Sequence, residues 1–210
     1  MNVVSLNPSS ITSSSEKLNN CVLISKKGVT MVPGALDYAK NTARIKVTGG
    51  DKNKRKLIKQ ATRWMLGYTL GSRLANNISI KIRITEKLRD SNVYGSVIWE
   101  DDNHRPREYD MELCNYLKDR ILYRVLAHEI VHIRQYATGD LKDLASKANY
   151  CKWKDELVLA EGPGSGSYFD LPWEIEARQQ QNIILGDWKR AYGYKFRQKT
   201  GEIYSDGDNL

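Results

Sequence analysis

Leu126-Ala127-His128-Glu129-Ile130-Val131-His132 is the stretch on which the reading of this chain turns. The sequence has three histidines, and two of them stand here, four residues apart, around a glutamate. On a helix, positions i and i+4 are neighbours on one face. Two imidazoles so placed can reach a single zinc ion at roughly 2.0–2.1 Å. Glu129 then lies beside the open position of the metal, where a carboxylate can accept a proton from water and pass it to a leaving amine.

The neighbouring residues support a buried helix. Leu117, Ile121, Leu122, Val125, Leu126, Ile130 and Ile133 recur at helical spacing, and Gly139 is a stop signal. The plainer alternative is a histidine pair that only packs. It leaves Glu129 beside an apolar stripe with no task, which is costly for a carboxylate.

Further out, the order of elements predicts an α+β domain. A serine-rich stretch at 7–19 reads as an arm, and Cys21 to Ser25 as a short strand. Lys54 to Ala75 predicts a helix with Leu57, Ala61, Trp64, Met65 and Tyr68 on one side. Strands are expected at 78–84, 93–99 and 108–113, forming a small antiparallel or mixed sheet. Leu141 to Lys152 reads as weakly helical, and a last helix as running from about Pro172 to Tyr192. Residues 107–113, just before the metal helix, are the candidate cleft edge along which an extended peptide would pair. A purely structural edge is the alternative.

A catalytic zinc needs a third protein ligand. His104 sits in a polar loop and reads as solvated. The extended motif that adds a glycine and a third histidine is excluded, because Gln135 and Thr138 occupy those places. A carboxylate from the last helix remains. Asp170 suits an N-cap and Pro172 the first turn. Glu174 and Glu176 flank the apolar stripe of Trp173, Ala177, Ile184 and Trp188 on opposite sides, and periodicity does not choose between them. Tyr168 and Tyr136 are candidate phenol donors to a developing oxyanion or to substrate, with aromatic packing as the alternative role for each.

The motif at 126–136, followed by Pro172-Trp173-Glu174-Ile175-Glu176-Ala177, resembles small gluzincin-type zinc metallopeptidases. More narrowly, it resembles SprT-like or phage-encoded metallopeptidases with a compact helix–sheet–helix–helix core. The likeness spans about residues 54–190. It implies a zincin-like fold and one zinc per chain. In gluzincins the third ligand often opens an E-x-x-A pattern, which here implies Glu174, giving His128, His132 and Glu174 as ligands. Arg178 departs from the acid or amide often found after that pattern, so the group that orients a zinc histidine stays unassigned. SprT proteases use a third histidine after the motif. This chain lacks it, and their DNA-crosslink role is not carried over.

Charge is divided unevenly. Residues 1–60 hold 11 Lys and Arg against 3 Asp and Glu, while the remainder is balanced, so the net +8 of the chain resides in its first 60 residues. Lys52, Lys54, Arg55, Lys56 and Lys59 form the densest cluster. This divides the chain into an N-terminal arm and basic extension, 1–50, and a zincin-like domain, 51–210. The arm is assigned to docking on a larger protein assembly. Cys21, Cys114 and Cys151 are few and widely spaced, which favours free thiols in a reducing compartment. With no signal-like start and no apolar run near 18 residues, the expected location is cytoplasmic, in the host cytoplasm or virion if the chain is phage-encoded.

The expected activity is zinc-dependent hydrolysis of a peptide or protein substrate, with Glu129 as general base. Two other functions fit the sequence: a phage virion or assembly protein in which zinc is structural, and a nucleic-acid-associated module using the basic N-terminal region. The second is weakened by the lack of aromatic residues within the cluster.

Overall fold

The computed structural model describes residues 4–5, 37–89, 93–101, 103–144, 149–162 and 166–200, with side chains described between 37 and 192. The serine-rich arm and the strand expected at 21–25 lie outside these residues. Among the described residues the fold is α+β, with three long helices and two sheets.

The larger sheet has five strands: β1 Val4–Ser5, β2 Arg44–Thr48, β3 Ser79–Thr85, β4 Gly95–Trp99 and β5 Glu108–Cys114. Their order is β1-β4-β5-β3-β2. β2, β3 and β5 run parallel, and β4 is antiparallel to β5. The strand chemistry explains the two faces. Ile80, Ile82 and Ile84 of β3 and Tyr109, Met111 and Leu113 of β5 are buried on one face. Lys81, Arg83, Asp110 and Glu112 take the other, where Arg83 reaches Asp110 at 2.9 Å and Glu112 at 3.1 Å. Alternation of this kind gives a sheet covered on one side only.

The apolar face carries the helices. α1, Lys52–Ala75, starts at Asp51, whose carboxylate accepts from the Lys54 amide at 2.9 Å. It turns at Gly71, whose φ of 70° is non-helical. α2, Asp119–Thr138, follows β5 and ends at Gly139, with φ 83°. α3, Pro172–Thr200, packs along α2. Tyr68 on α1 donates to Asp187 on α3 at 2.6 Å, tying the first helix to the last. Among the described residues no helix is long and apolar enough to cross a membrane.

Three readings of the sequence change. The weakly helical segment at 141–152 is instead β-structure: β6 Leu141–Asp143, β7 Tyr150–Trp153 and β8 Glu156–Leu159 form an antiparallel three-stranded sheet. β7 and β8 are joined by Lys154-Asp155, both at positive φ (46° and 72°), with Trp153 opposite Glu156. This is the backbone of a two-residue hairpin turn, made without the glycine that usually announces one.

The expected cleft edge at 107–113 is not an edge. β5 is paired on both sides, by β3 and by β4, so its backbone groups are consumed within the sheet. The outer side of β4 is paired by β1, with Val4 opposite Val97 and Ser5 opposite Ser96.

β2 was not anticipated, although it pairs with β3 along its whole length. The segment before it is stapled to α1. Asn41, 3% exposed, donates to the Tyr38 and Arg63 carbonyls, both at 2.7 Å. Residues 37–48 of the expected N-terminal extension are therefore built into the main sheet and its helix layer.

Candidate metal centre

Fourteen residues of α2 are buried, among them His128, Glu129 and His132. The helix lies between the sheet, α1 and α3, so the face carrying the two histidines looks into the protein rather than into water. α3 supplies the facing group. Leu171 leads into Pro172, and the Glu174 amide donates back to the Leu171 carbonyl at 2.9 Å. This first turn aims the Glu174 carboxylate at α2.

Three donors converge there. The Nε2 atoms of His128 and His132 are 2.9 Å apart. Glu174 Oε2 is 3.4 Å from His128 Nε2, and Oε1 is 3.2 Å from His132 Nε2. Each residue offers a ligand atom, and these atoms lie within 4.8 Å of one another. Tetrahedral zinc with bonds near 2.0–2.1 Å separates its ligand atoms by about 3.3 Å, so the donors already sit close to the spacing an ion would impose. The group can hold a metal ion.

The surrounding contacts fit the same conclusion. Each histidine turns its Nδ1 towards a glutamine oxygen: His128 to Gln181 at 3.1 Å and His132 to Gln135 at 2.8 Å. That leaves both Nε2 atoms as acceptors facing each other and a carboxylate. A cation resolves such an arrangement. Neither glutamine stood out as an orienting group in the sequence. The signal was spacing: Gln135 lies three residues after His132, and Gln181 seven after Glu174 on the same helical face. Arg178, at the place where an orienting acid or amide was sought, instead donates to the Phe169 carbonyl.

The two carboxylates left open by periodicity are now separated. Glu174 is 1% exposed and joins the histidines. Glu176 points the other way, to Gln135 at 3.0 Å, Lys154 at 3.0 Å and Arg134. His104 is an exposed loop residue.

Tyr168 lies in a 3-10 turn, Tyr168–Asp170, and its hydroxyl donates to Glu174 Oε1 at 2.6 Å. It is 36% exposed, so it spans from the protein surface to the donor cluster. Tyr136 is buried with its ring 4.2 Å from that of Trp99, which places it in aromatic packing.

The electrostatics follow from burial. The His128 imidazole is pulled down to about 4, chiefly because burial disfavours its charged form. The Glu129 carboxyl is pushed well above its ordinary value, by burial first and then by the Glu174 carboxylate. Burial also pushes on Glu174, but the adjacent His132 and His128 imidazoles outweigh it and hold that carboxyl low.

Glu129 is fully buried, and among the described residues neither of its oxygens has a hydrogen-bond partner. Gly95 at the start of β4 makes room for it: a Cβ there would lie 3.1 Å from Glu129 Oε1 and 2.4 Å from Val125 Cγ1. An unpartnered buried carboxylate costs free energy unless a cation or a proton answers it.

No known protein family, curated protein or solved structure matches the chain.

Proposed function

We propose that this protein is a zinc-dependent peptidase in which His128, His132 and Glu174 hold the metal and Glu129 moves the proton. The observation that carries the reading is the pairing of two features: a convergent two-histidine, one-carboxylate donor set, and beside it a buried glutamate with no partner. Two imidazoles and one carboxylate make a common donor set of catalytic zinc, which keeps a fourth position for water or substrate. When bound, zinc supplies a Lewis acid that polarises a carbonyl and acidifies water.

The residues of the chain do the rest. Glu129, ionised by a neighbouring cation, accepts the proton of the attacking water and delivers it to the leaving nitrogen. The glycine at 95 leaves room for the carboxylate that a side chain there would take. Tyr168 holds Glu174 by its hydroxyl, and its exposed side leaves it within reach of a substrate carbonyl.

A second reading has its own support. His128, His132, Glu129 and Glu174 are at most 1% exposed. A site so enclosed also suits zinc that only holds α2 to α3, as in a virion or assembly component.

One experiment decides. The chain is stripped of metal, reloaded with zinc, analysed for metal content and offered a broad peptide library, alongside Glu129→Gln and Glu174→Ala. A peptidase binds one zinc per chain and cleaves peptides. Glu129→Gln keeps the zinc and loses turnover by several orders of magnitude, while Glu174→Ala loses zinc affinity. Zinc binding without cleavage supports the structural reading. A zinc content near zero defeats both.

A further inference from the structure

We infer that Gln135 is a positioning residue that holds His132 in the tautomer required for metal ligation, with its amide aimed from α3 by Glu176 and the Trp173 carbonyl. The inference rests on the metal-centre reading for its purpose, but not for its geometry.

A side-chain amide has a donor end and an acceptor end, and which end faces a histidine decides where that imidazole carries its proton. Gln135 is fully buried, so water does not substitute for its partners. Its nitrogen lies 3.0 Å from the Trp173 carbonyl oxygen and 3.0 Å from Glu176 Oε2. A backbone carbonyl only accepts, and so does an ionised carboxylate. Glu176 is paired with both Arg134 and Lys154, so its oxygens face cations and act as acceptors.

Reversing the amide would bring three oxygens together without a proton between them. The direction is therefore set from α3, and the amide oxygen faces His132 Nδ1 at 2.8 Å. An oxygen at that distance requires the proton on Nδ1. Nε2 then keeps its lone pair and turns it towards Glu174 and His128. With the opposite tautomer, a proton would sit where the metal belongs. Arg134 and Lys154 fix Glu176 in turn, so the chain of contacts runs from surface cations through Glu176 and Gln135 to a ligand.

Histidine tautomers can be read directly by nitrogen NMR of the chain labelled with 15N-histidine and stripped of metal. The wild type is expected to show His132 as the Nδ1–H tautomer. Gln135→Met, similar in length but without the amide, should admit the Nε2–H form and weaken zinc binding 10–100-fold in chelator competition. Gln135→Glu, which offers His132 only acceptor oxygens, should keep the Nδ1–H tautomer while setting two carboxylates against each other, and adding Glu176→Gln should relieve that repulsion with the tautomer unchanged.

A wild-type His132 that carries its proton on Nε2 overturns the inference, and so does a Gln135→Met chain with unchanged tautomer and affinity. Failure of the chain to bind any zinc would instead defeat the metal-centre reading. The tautomer is measured without metal, so the two failures are distinct.

Discussion

Glu129 is a carboxylate set among the apolar residues Leu126, Ala127, Ile130 and Val131. In the fold it is sealed between α2 and β4 with its proton affinity raised. The consequence for stability has a definite sign. In the metal-free chain the folded state retains a proton on Glu129 that the unfolded state, with an ordinary carboxyl near 4.5, releases. Stability from this group is complete below about 4.5 and falls as pH rises towards the folded value. Glu129→Gln has no proton to lose. With chelator present at neutral pH it should unfold at a higher temperature than wild type, and the difference should shrink as pH is lowered towards 4.5. Calorimetry across a pH series tests this. A gap that does not change with pH would mean that Glu129 is not protonated in the folded chain.

At the scale of elements, helix glycines separate close approach from open surface. Gly67, midway along α1, faces the 3-10 turn Asp37–Lys40. A Cβ there would lie 2.0 Å from the Tyr38 carbonyl oxygen, which is backbone and has little room to yield. Asn41 holds that same carbonyl, and Tyr38 packs edge-on against Trp64 at 5.6 Å and Tyr68 at 5.3 Å. Gly186 on α3 has nothing within 4 Å of the place a Cβ would take. Gly67→Ala should therefore destabilise the fold by about 1–3 kcal/mol or more. Gly186→Ala should stabilise it by about 0.5–1 kcal/mol, because only helix propensity changes. Chemical denaturation of the two variants gives the comparison. Equal effects would show that residues 37–41 do not press on α1.

For the whole molecule, the question is what the N-terminal excess of positive charge does. Part of the cluster at 52–59 is engaged within the fold. Lys54 donates to the Asn115 carbonyl at 2.9 Å, and Arg55 to the Gly50 and Gly49 carbonyls at 2.5 and 3.2 Å. These contacts hold the start of α1 against the ends of β2 and β5. Lys52 and Lys56 are exposed. Neutralising Lys52 and Lys56 should leave stability and zinc content unchanged and weaken any acidic partner, most at low salt. Neutralising Lys54 and Arg55 should cost roughly 1–2 kcal/mol together. Thermal melts set beside partner binding across a salt series would separate the pairs. A stability loss confined to Lys52 and Lys56 would reverse the assignment.

How far the sequence reached depended on the range of each interaction. The helix around His128 and Glu129, its stop at Gly139, the alternating strands β3 and β5, and the helix bearing Glu174 are written in local periodicity, because burial of one face imposes a repeat on neighbouring residues. The i, i+4 histidine pair is local in the same way, so two of the three donors were legible from spacing alone. Contacts between distant segments leave no such trace. Nothing in Arg44–Thr48 announces a parallel partner at 79–83, and nothing in 107–113 shows that both of its sides are taken. The hairpin at Lys154-Asp155 escaped because the strands beside it are short and its turn lacks glycine. Periodicity left Glu174 and Glu176 open and the resemblance pointed to Glu174, but the meeting of Glu174 with the histidines and the turning of Gln135 and Gln181 towards them emerged only when α3 was laid against α2. Each depends on which side chains meet across two helices, and residues separated by some forty positions meet by packing, not by pattern.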